Sequence, residues 1–359
     1  MPATTARFTL PVLLALTLAL GACSSKPDKD EPPFISTQAY LKSAYTAPVH
    51  HKFASFDTRW AWDKHEVDIS LLVPEGGNNL PVILYLPGLG EGANAGELWR
   101  QTWADAGYAV LSLQATRDNA SIYNTSNARD GAFRTIAANA FAPAPAANRV
   151  EQIERIVNEA RRRSQAGEPG FAALDMHKLV VAGFDLGAQT AAALSGERAP
   201  GQPRAVDWKP LATLLLSPYV PGGVDERRFA QIDTPVLAIT GPLDEDPFSW
   251  IASAQQRYSL FSGLTHGGYQ LKLNDATHTV LSGNIAKVDK SEKKPRSGED
   301  GPRPGRSANP GFDARQAGSI AAVTIAFLDA RVKQSATAQQ WLDDKAQTWL
   351  EPVGSLQRK

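Results

Sequence analysis

The sequence VVAGFDLGA, residues 180–188, decides the fold of this chain. Apolar residues typical of a buried strand lead into its first glycine, and small residues typical of a helix follow its second glycine. Glycines at this spacing let the chain turn sharply and pass close to neighbouring backbone. The stretch has the form of a nucleophile elbow, G-x-S-x-G, whose central residue is held out toward the substrate. Here that residue is Asp185 instead of serine.

Segments with strand and helix character alternate on both sides of this turn. The predicted strands are residues 67–71, 81–86, 108–113, 178–182, 211–216, 235–240 and 269–273. The predicted helices are residues 95–106, 148–164, 318–332 and 338–350, together with the helix that follows the elbow. This alternation predicts an α/β fold with a doubly wound, mostly parallel sheet and helices on both faces.

The composition is that of an ordinary globular protein. The chain has 359 residues, of which 43% are hydrophobic and 21% are charged, enough for one large α/β domain or two small ones. The 37 Lys and Arg residues balance the 37 Asp and Glu residues. We expect no nucleic-acid partner, because phosphate binding requires a basic surface.

The first residues predict export and a lipid anchor. A basic start precedes the apolar residues 8–20, a run shorter than the ~20 residues of a transmembrane helix, so residues 1–22 are predicted to be a signal peptide. The sequence LGAC at 20–23 resembles a bacterial lipobox, in which Cys23 is acylated; the alternative is an ordinary secretory signal with an incidental cysteine. Two serines follow, rather than aspartate, which resembles the pattern that allows sorting to the outer membrane. We expect a lipid-anchored protein of the bacterial cell envelope that faces the periplasm.

Three segments are predicted to be irregular. The polar, proline-containing start of residues 23–45 predicts a flexible tether, and residues 46–355 are assigned to the folded domain. Residues 287–310 are charged and almost free of apolar side chains, which predicts a mobile loop. Residues 126–147 are rich in alanine and proline and are predicted to be irregular as well.

An acid and a histidine follow the elbow, each after a predicted strand. Because the carboxyl ends of parallel strands meet at one edge of a sheet, both are expected to approach Asp185. Asp244 is the first candidate for the acid that orients the histidine, and Asp246 is the second. His278 is the candidate base, with His266 in a glycine-flanked turn as a weaker alternative.

Two backbone N–H groups are candidates for an oxyanion hole. One belongs to Leu186, the residue after the elbow position, and the other to Leu89 in the turn PGLG at 87–90. In an elbow site, donors from these two places bind the oxygen on which negative charge develops.

These motifs together resemble the α/β-hydrolases of the platelet-activating-factor acetylhydrolase and dienelactone-hydrolase-like group. The resemblance covers about residues 81–350 and rests on PVILYLPGLGEG, WADAGYAVLSLQ, VVAGFDLGAQTA, FAQIDTPVLAITGPLDEDP, DATHTVLSG, IAFLDA and WLDD. It implies the α/β-hydrolase fold and ester hydrolysis by a Ser-His-Asp triad, with His278 and Asp244 at the base and acid positions. Pro87 and Phe184 stand where the family usually has histidines, and Asp185 stands where it has serine.

An aspartate at the elbow changes the expected chemistry. A carboxyl group with a reference pKa of ~3.9 is already ionised at neutral pH. It can attack an sp3 carbon that carries a leaving group, as in an epoxide or alkyl halide, and water activated by His278 then hydrolyses the ester. Haloalkane dehalogenases and epoxide hydrolases share this chemistry, although the dehalogenases typically have tryptophan where this chain has Leu186. Attack on a carboxyl ester would give an anhydride, so the alternative for esters is water activated at His278, with Asp185 only holding the imidazole.

Three hypotheses follow. The first is a hydrolase that acts on an ester-like or other small apolar substrate through Asp185, His278 and Asp244, without a cofactor. The second is a catalytically inactive binding protein of the cell envelope that kept the fold and lost the serine. The third is a cation site made by the two carboxylates and the imidazole. Both elbow glycines, the base and the acid are retained, which favours the first; no second histidine or metal-type spacing stands near them, so no metal is expected. The sequence indicates no particular oligomeric state.

Overall fold

The computed structural model of the chain describes residues 36–198, 206–221, 225–284 and 313–359. The described helices and strands belong to one compact unit, Thr37–Lys359. The predicted signal peptide, Cys23, the first part of the predicted tether and the predicted loop at 287–310 lie outside the described residues. In the described part of the chain, no helix is long and apolar enough to cross a membrane.

A nine-stranded sheet forms the centre of the described unit. Its strands are β1 (Phe53–Trp62), β2 (His65–Pro74), β3 (Leu80–Leu86), β4 (Ala109–Ala115), β5 (Leu174–Phe184), β6 (Thr213–Leu216), β7 (Val236–Thr240), β8 (Gly268–Leu273) and β9 (Gly354–Arg358). They lie in the order β1-β2-β4-β3-β5-β6-β7-β8-β9. The six strands from β4 to β8 in this order pair in parallel, whereas β1, β2 and β9 pair antiparallel at the two sides. The predicted α/β fold with a mostly parallel sheet is confirmed, and the architecture is compatible with the α/β-hydrolase fold.

Helices connect most of the parallel strands. Those in the described ranges are α1 (Thr37–Lys42), α2 (Glu97–Asp105), α3 (Ser126–Arg129), α4 (Phe133–Ala140), α5 (Pro143–Gln165), α6 (Leu186–Leu194), α7 (Ser259–Gly263), α8 (His278–Ser282), α9 (Ala314–Arg331), α10 (Ala336–Asp344) and α11 (Ala346–Leu350).

The sheet is covered on both faces. Successive side chains of a strand point to opposite faces, and β3 shows the result: Ile83 packs in the core with Trp103 of α2 and with α9. Its neighbour Leu84 packs in the opposite core with Val157 of α5 and with α6. Both faces of the parallel strands are therefore buried. This explains why the strand sequences are continuous apolar runs rather than alternating apolar and polar residues.

The structure differs from the sequence-based elements in several places: it contains β1, α7 and α8, which the sequence did not indicate, and it changes three predicted regions. Residues 126–147 contain α3, α4 and the start of α5. Pro143 does not prevent a helix there, because it is the first residue of α5, where its missing N–H breaks no helical hydrogen bond. Part of the predicted tether forms α1, because Tyr40 is buried and stacks on Trp349 with ring centroids 4.5 Å apart. At the other end, β9 pairs with β8 and reaches beyond residue 355.

Candidate active site

The elbow joins β5 to α6 through a strained residue. Asp185 has a φ of 51° and a ψ of −109°, a positive φ that is uncommon for any residue other than glycine. The sheet holds it there, because the Asp185 N–H donates to the Leu216 carbonyl of β6 at 3.2 Å. Strain of this kind concentrates at functional sites, where the surrounding structure imposes it.

Both elbow glycines are required by close backbone contacts. A Cβ atom on Gly183 would lie 2.2 Å from the Gly187 carbonyl oxygen, and a Cβ atom on Gly187 would lie 1.8 Å from the Leu86 carbonyl oxygen at the end of β3. Neither distance is tolerable for a carbon beside backbone oxygen. The close backbone approach that the sequence predicts for this turn is confirmed.

His278 and Asp244 meet at the carboxyl edge of the sheet. Their loops follow β8 and β7, and a parallel bridge between Leu243 and Thr277 brings the two loops together. Thr277 caps α8 by accepting a hydrogen bond from the Val280 N–H, which makes His278 the first residue of that helix. The Nδ1 atom of His278 lies 2.8 Å from Oδ1 of Asp244. The structure thus joins the candidate base to the first of the two candidate acids.

The two alternative residues lie elsewhere. The Asp246 carboxylate accepts hydrogen bonds from the backbone N–H groups of Phe248, Trp250 and Ile251, at 2.7 to 2.9 Å. It therefore orders its own loop rather than the histidine. His266 is exposed, and its Nδ1 atom lies 3.2 Å from the Thr265 hydroxyl.

Three further residues, which the sequence did not indicate, complete the surroundings of Asp244. The hydroxyl of Ser217 donates to Oδ1, and the hydroxyl of Thr240 donates to Oδ2, both at 2.8 Å. The fully buried guanidinium of Arg257 places Nε 3.2 Å from Oδ2 and also donates to the carbonyl of Ser217. Arg257 comes from a 3₁₀ turn of ordinary sequence, so only its position in the fold reveals its role.

These contacts keep Asp244 ionised. Burial opposes ionisation, but the hydrogen bond from His278 and the charge of Arg257 bring the pKa of Asp244 below its usual range. An ionised Asp244 fixes the proton of His278 on Nδ1, which leaves Nε2 of the neutral imidazole as a proton acceptor. The pair therefore has the arrangement of a base and its orienting acid.

Asp185 has a less complete environment. Its side chain is buried, Oδ2 accepts a hydrogen bond from the Leu89 N–H at 3.3 Å, and the buried Oδ1 has no hydrogen-bond partner. Burial raises the pKa of Asp185, although the charges of His278 and Arg257 counteract this effect. No hydrogen bond or ion pair joins Asp185 to His278 among the described residues. Both residues nevertheless line the same cavity.

The two candidate oxyanion donors belong to the loop after β3 and to the start of α6. Leu89 is in the loop between β3 and α2, and its N–H already binds the Asp185 carboxylate. Leu186 is the first residue of α6, where a backbone N–H has no acceptor within the helix. The Leu89 N–H therefore binds the elbow carboxylate itself, not an empty position beside a hydroxyl.

The cavity over Asp185 has a volume of about 360 Å³ and mainly apolar walls. The segment between β4 and α5 contributes Tyr123 and Phe133, whose rings lie 6.5 and 6.2 Å from the ring of Phe248. Phe184 packs on the imidazole of His278 with ring centroids 4.6 Å apart. Phe184 thus forms one wall of the cavity beside the candidate base.

The described residues contain no group of three or more His, Cys, Asp or Glu side chains that could hold a metal ion. A scan against protein-family models and a search of curated proteins found no match for this chain.

Proposed function

We propose that this chain is a hydrolase of the α/β-hydrolase type that cleaves a small apolar substrate through a covalent ester on Asp185. One observation carries the proposal: Oδ2 of Asp185 accepts a hydrogen bond from Leu89, whereas Oδ1 has no partner. This asymmetry suits a nucleophilic carboxylate, in which one oxygen is held and the other keeps its lone pairs free of hydrogen bonds.

The first step forms the ester. Oδ1 of ionised Asp185 attacks an sp3 carbon of the substrate, and the leaving group departs with the electron pair of the bond that breaks. The desolvated carboxylate is a better nucleophile than one in water, and forming a neutral ester removes a buried charge. The apolar walls formed by Phe184, Phe248 and Phe133 favour a small apolar substrate.

The second step returns the carboxylate. Nε2 of His278 takes a proton from water, and the hydroxide adds to Cγ of Asp185. Negative charge then develops on Oδ2, where the N–H groups of Leu89 and Leu186 stabilise it. The Cγ–Oδ1 bond of the ester then breaks, and the product leaves as an alcohol after taking the proton back from His278. Ionised Asp244 stabilises the imidazolium that forms.

The test is intact-mass analysis of the full chain with panels of epoxides, haloalkanes and p-nitrophenyl esters. The variant His278→Gln should accumulate a covalent adduct on Asp185, because the ester forms but is not hydrolysed. The variant Asp185→Asn should form no adduct, since its amide is a poor nucleophile. An adduct on another residue, or turnover by Asp185→Asn, would contradict the proposed mechanism.

The second candidate is a binding protein without activity, and the contact of Phe184 with His278 favours it, because that ring covers one side of the imidazole. This function requires that an apolar probe bind in the cavity while wild-type protein and His278→Gln form no adduct and no product. The variant Asp185→Ser tests whether only the serine was lost. Esterase activity in this variant would mean that the rest of an ester-cleaving site is intact.

A lipid anchor in the bacterial cell envelope is part of the proposal and rests on LGAC at residues 20–23. Labelling of growing cells with a radioactive fatty acid should mark the wild-type protein and not the variant Cys23→Ser. Fractionation of the envelope then determines whether the anchored protein is in the outer membrane. Equal labelling of both proteins would exclude acylation at Cys23.

A further inference from the structure

Glu91 is a second carboxyl group in the wall of the cavity that contains Asp185 and His278. The chain turns after β3, and Oε2 of Glu91 accepts a hydrogen bond from the Gly88 N–H at 2.7 Å. Its Oε1 accepts one from the amide of Asn284 at 2.6 Å. These two anchors come from segments far apart in the chain, and together they hold the carboxyl group in one orientation.

The surroundings of Glu91 favour its protonated form near neutral pH. Burial raises the pKa of Glu91 to about 7, and the charge of Asp185 adds to this effect, while the hydrogen bonds from Gly88 and Asn284 and the charge of His278 oppose it. The hydroxyls of Tyr85 and Tyr123 are the other titratable groups that interact with it.

Asp185 and Glu91 differ in the positive charges around them. Two carboxyl groups in one cavity oppose each other's ionisation. His278 acts on both groups, but Arg257 is a cause of the Asp185 pKa and not of the Glu91 pKa, and this difference favours the proton on Glu91. When the surroundings separate the pKa values of two carboxyl groups in this way, one group can act as an acid and the other as a nucleophile.

The leaving group decides whether such an acid is useful. A halide departs as a stable anion and needs N–H donors, not a proton. Trp250, in the loop after β7, donates its indole N–H to the hydroxyl of Tyr219, and no tryptophan lines the described cavity. The oxygen of an opening epoxide becomes an alkoxide, which requires a proton as the C–O bond breaks.

We infer that Glu91 is the acid that protonates the oxygen leaving group, and that the substrate is an epoxide rather than an alkyl halide. This inference rests on the proposed ester at Asp185. Oδ1 of Asp185 bonds to one ring carbon, the bond from that carbon to the ring oxygen breaks, and the oxygen takes the electron pair and the proton of Glu91. The product is a hydroxyalkyl ester of Asp185 beside an ionised Glu91.

Hydrolysis of the hydroxyalkyl ester completes the reaction. Water gives its proton to His278 and its hydroxide to Cγ of Asp185, and the departing alkoxide takes the proton back from His278. Asp185 is released as a carboxylic acid, its proton passes to solvent, and Glu91 takes one up. The sum is epoxide plus water giving a vicinal diol. The aromatic rings of Tyr123, Phe133 and Phe248 favour an aryl-substituted epoxide.

The test compares two alkylating probes of the same skeleton, styrene oxide and (2-bromoethyl)benzene, in the His278→Gln background, where the ester accumulates. Adding Glu91→Gln should slow adduct formation with styrene oxide by about 10²–10⁴-fold, the usual contribution of a general acid, and leave the bromide reaction unchanged. With Glu91 present, the styrene oxide rate should fall as pH rises through about 7, and Glu91→Gln should remove this alkaline decline.

The matched control is Glu97→Gln, a glutamate of α2 that bonds Gln101 and does not line the cavity. It should leave both rates unchanged. Equal losses with both probes would mean that Glu91 only shapes the cavity, and an unchanged styrene oxide rate would exclude it as the acid; either result overturns the inference while the ester at Asp185 stands. The absence of any adduct with either probe would overturn the proposed function together with the inference.

Discussion

Asp244 and Asp185 are both buried at the carboxyl edge of the sheet, but their surroundings differ. In the acid–base half of the site, formed by Asp244, His278 and Arg257, both oxygens of Asp244 have hydrogen-bond donors or a guanidinium within 3.2 Å. In the nucleophile half, formed by Asp185 and Leu89, one oxygen has a single donor at 3.3 Å and the other has none.

This difference shows which half of the site is held rigidly and which half is energetically unfavourable in the free protein. A buried carboxylate with complete partners fixes an orientation, and a histidine held in this way needs no rearrangement during reaction. A buried oxygen without a partner is unfavourable in the free protein. Bond formation at Oδ1 of Asp185 would relieve that cost, which is what a reactive group requires.

The largest effect is expected in the acid–base half. Changing Arg257→Met should lower the free energy of unfolding by about 3–5 kcal/mol, because it leaves the Asp244 carboxylate buried without its cation. Urea unfolding followed by circular dichroism measures this change. The control Arg227→Leu removes an exposed arginine paired with Asp225 and should have no measurable effect. Similar losses in both variants would mean that Arg257 has no special part in the site.

A smaller loss of stability is expected from the elbow. Gly187→Ala should lower the free energy of unfolding by about 1–3 kcal/mol, since the new Cβ would be 1.8 Å from the Leu86 carbonyl oxygen and the backbone must move. Gly92→Ala is the matched control, because a Cβ there meets nothing within 4 Å. Thermal unfolding of the two variants checks the prediction; an unchanged melting temperature for Gly187→Ala would show that α6 can shift away from β3.

The smallest effect has the opposite sign. Asp185→Asn should raise the free energy of unfolding at pH 7 by about 1 kcal/mol, because it removes a buried charge with one unpartnered oxygen. The pKa of Asp185 is raised in the folded state, so this side chain favours the folded state fully below its unfolded pKa of ~3.9 and loses that contribution as pH rises through the folded pKa. The gain from Asp185→Asn should therefore increase with pH.

Urea unfolding at several pH values between about 4 and 8 measures that trend. Asp244→Asn provides the contrast, because the pKa of Asp244 is lowered: its contribution is present above ~3.9 and is lost as pH falls through the folded pKa. A loss of stability in Asp185→Asn, or a gain that does not vary with pH, would contradict the difference between the two halves.

Much of the fold could be predicted because its signals are local. The apolar runs that became β3, β5 and β7 are buried on both faces, and such runs stand out in any sequence. Two of the elements that were missed depend on distant partners: α1 is fixed by the stacking of Tyr40 on Trp349, and β9 forms by pairing with β8. Neither segment has a periodic pattern strong enough to predict it alone.

The elbow, with Asp185 between two glycines, and the order in which the acid and the histidine follow it could be predicted from the sequence alone. These features lie in short sequence motifs, because a sharp turn restricts the residues at fixed spacing. The three-dimensional fold was needed to show that Asp244 rather than Asp246 meets His278, and that Arg257 and Glu91 join the site. These contacts join loops that are far apart in the chain. They form only when the strands lie in a particular order in the sheet, and a local sequence pattern does not predict that order.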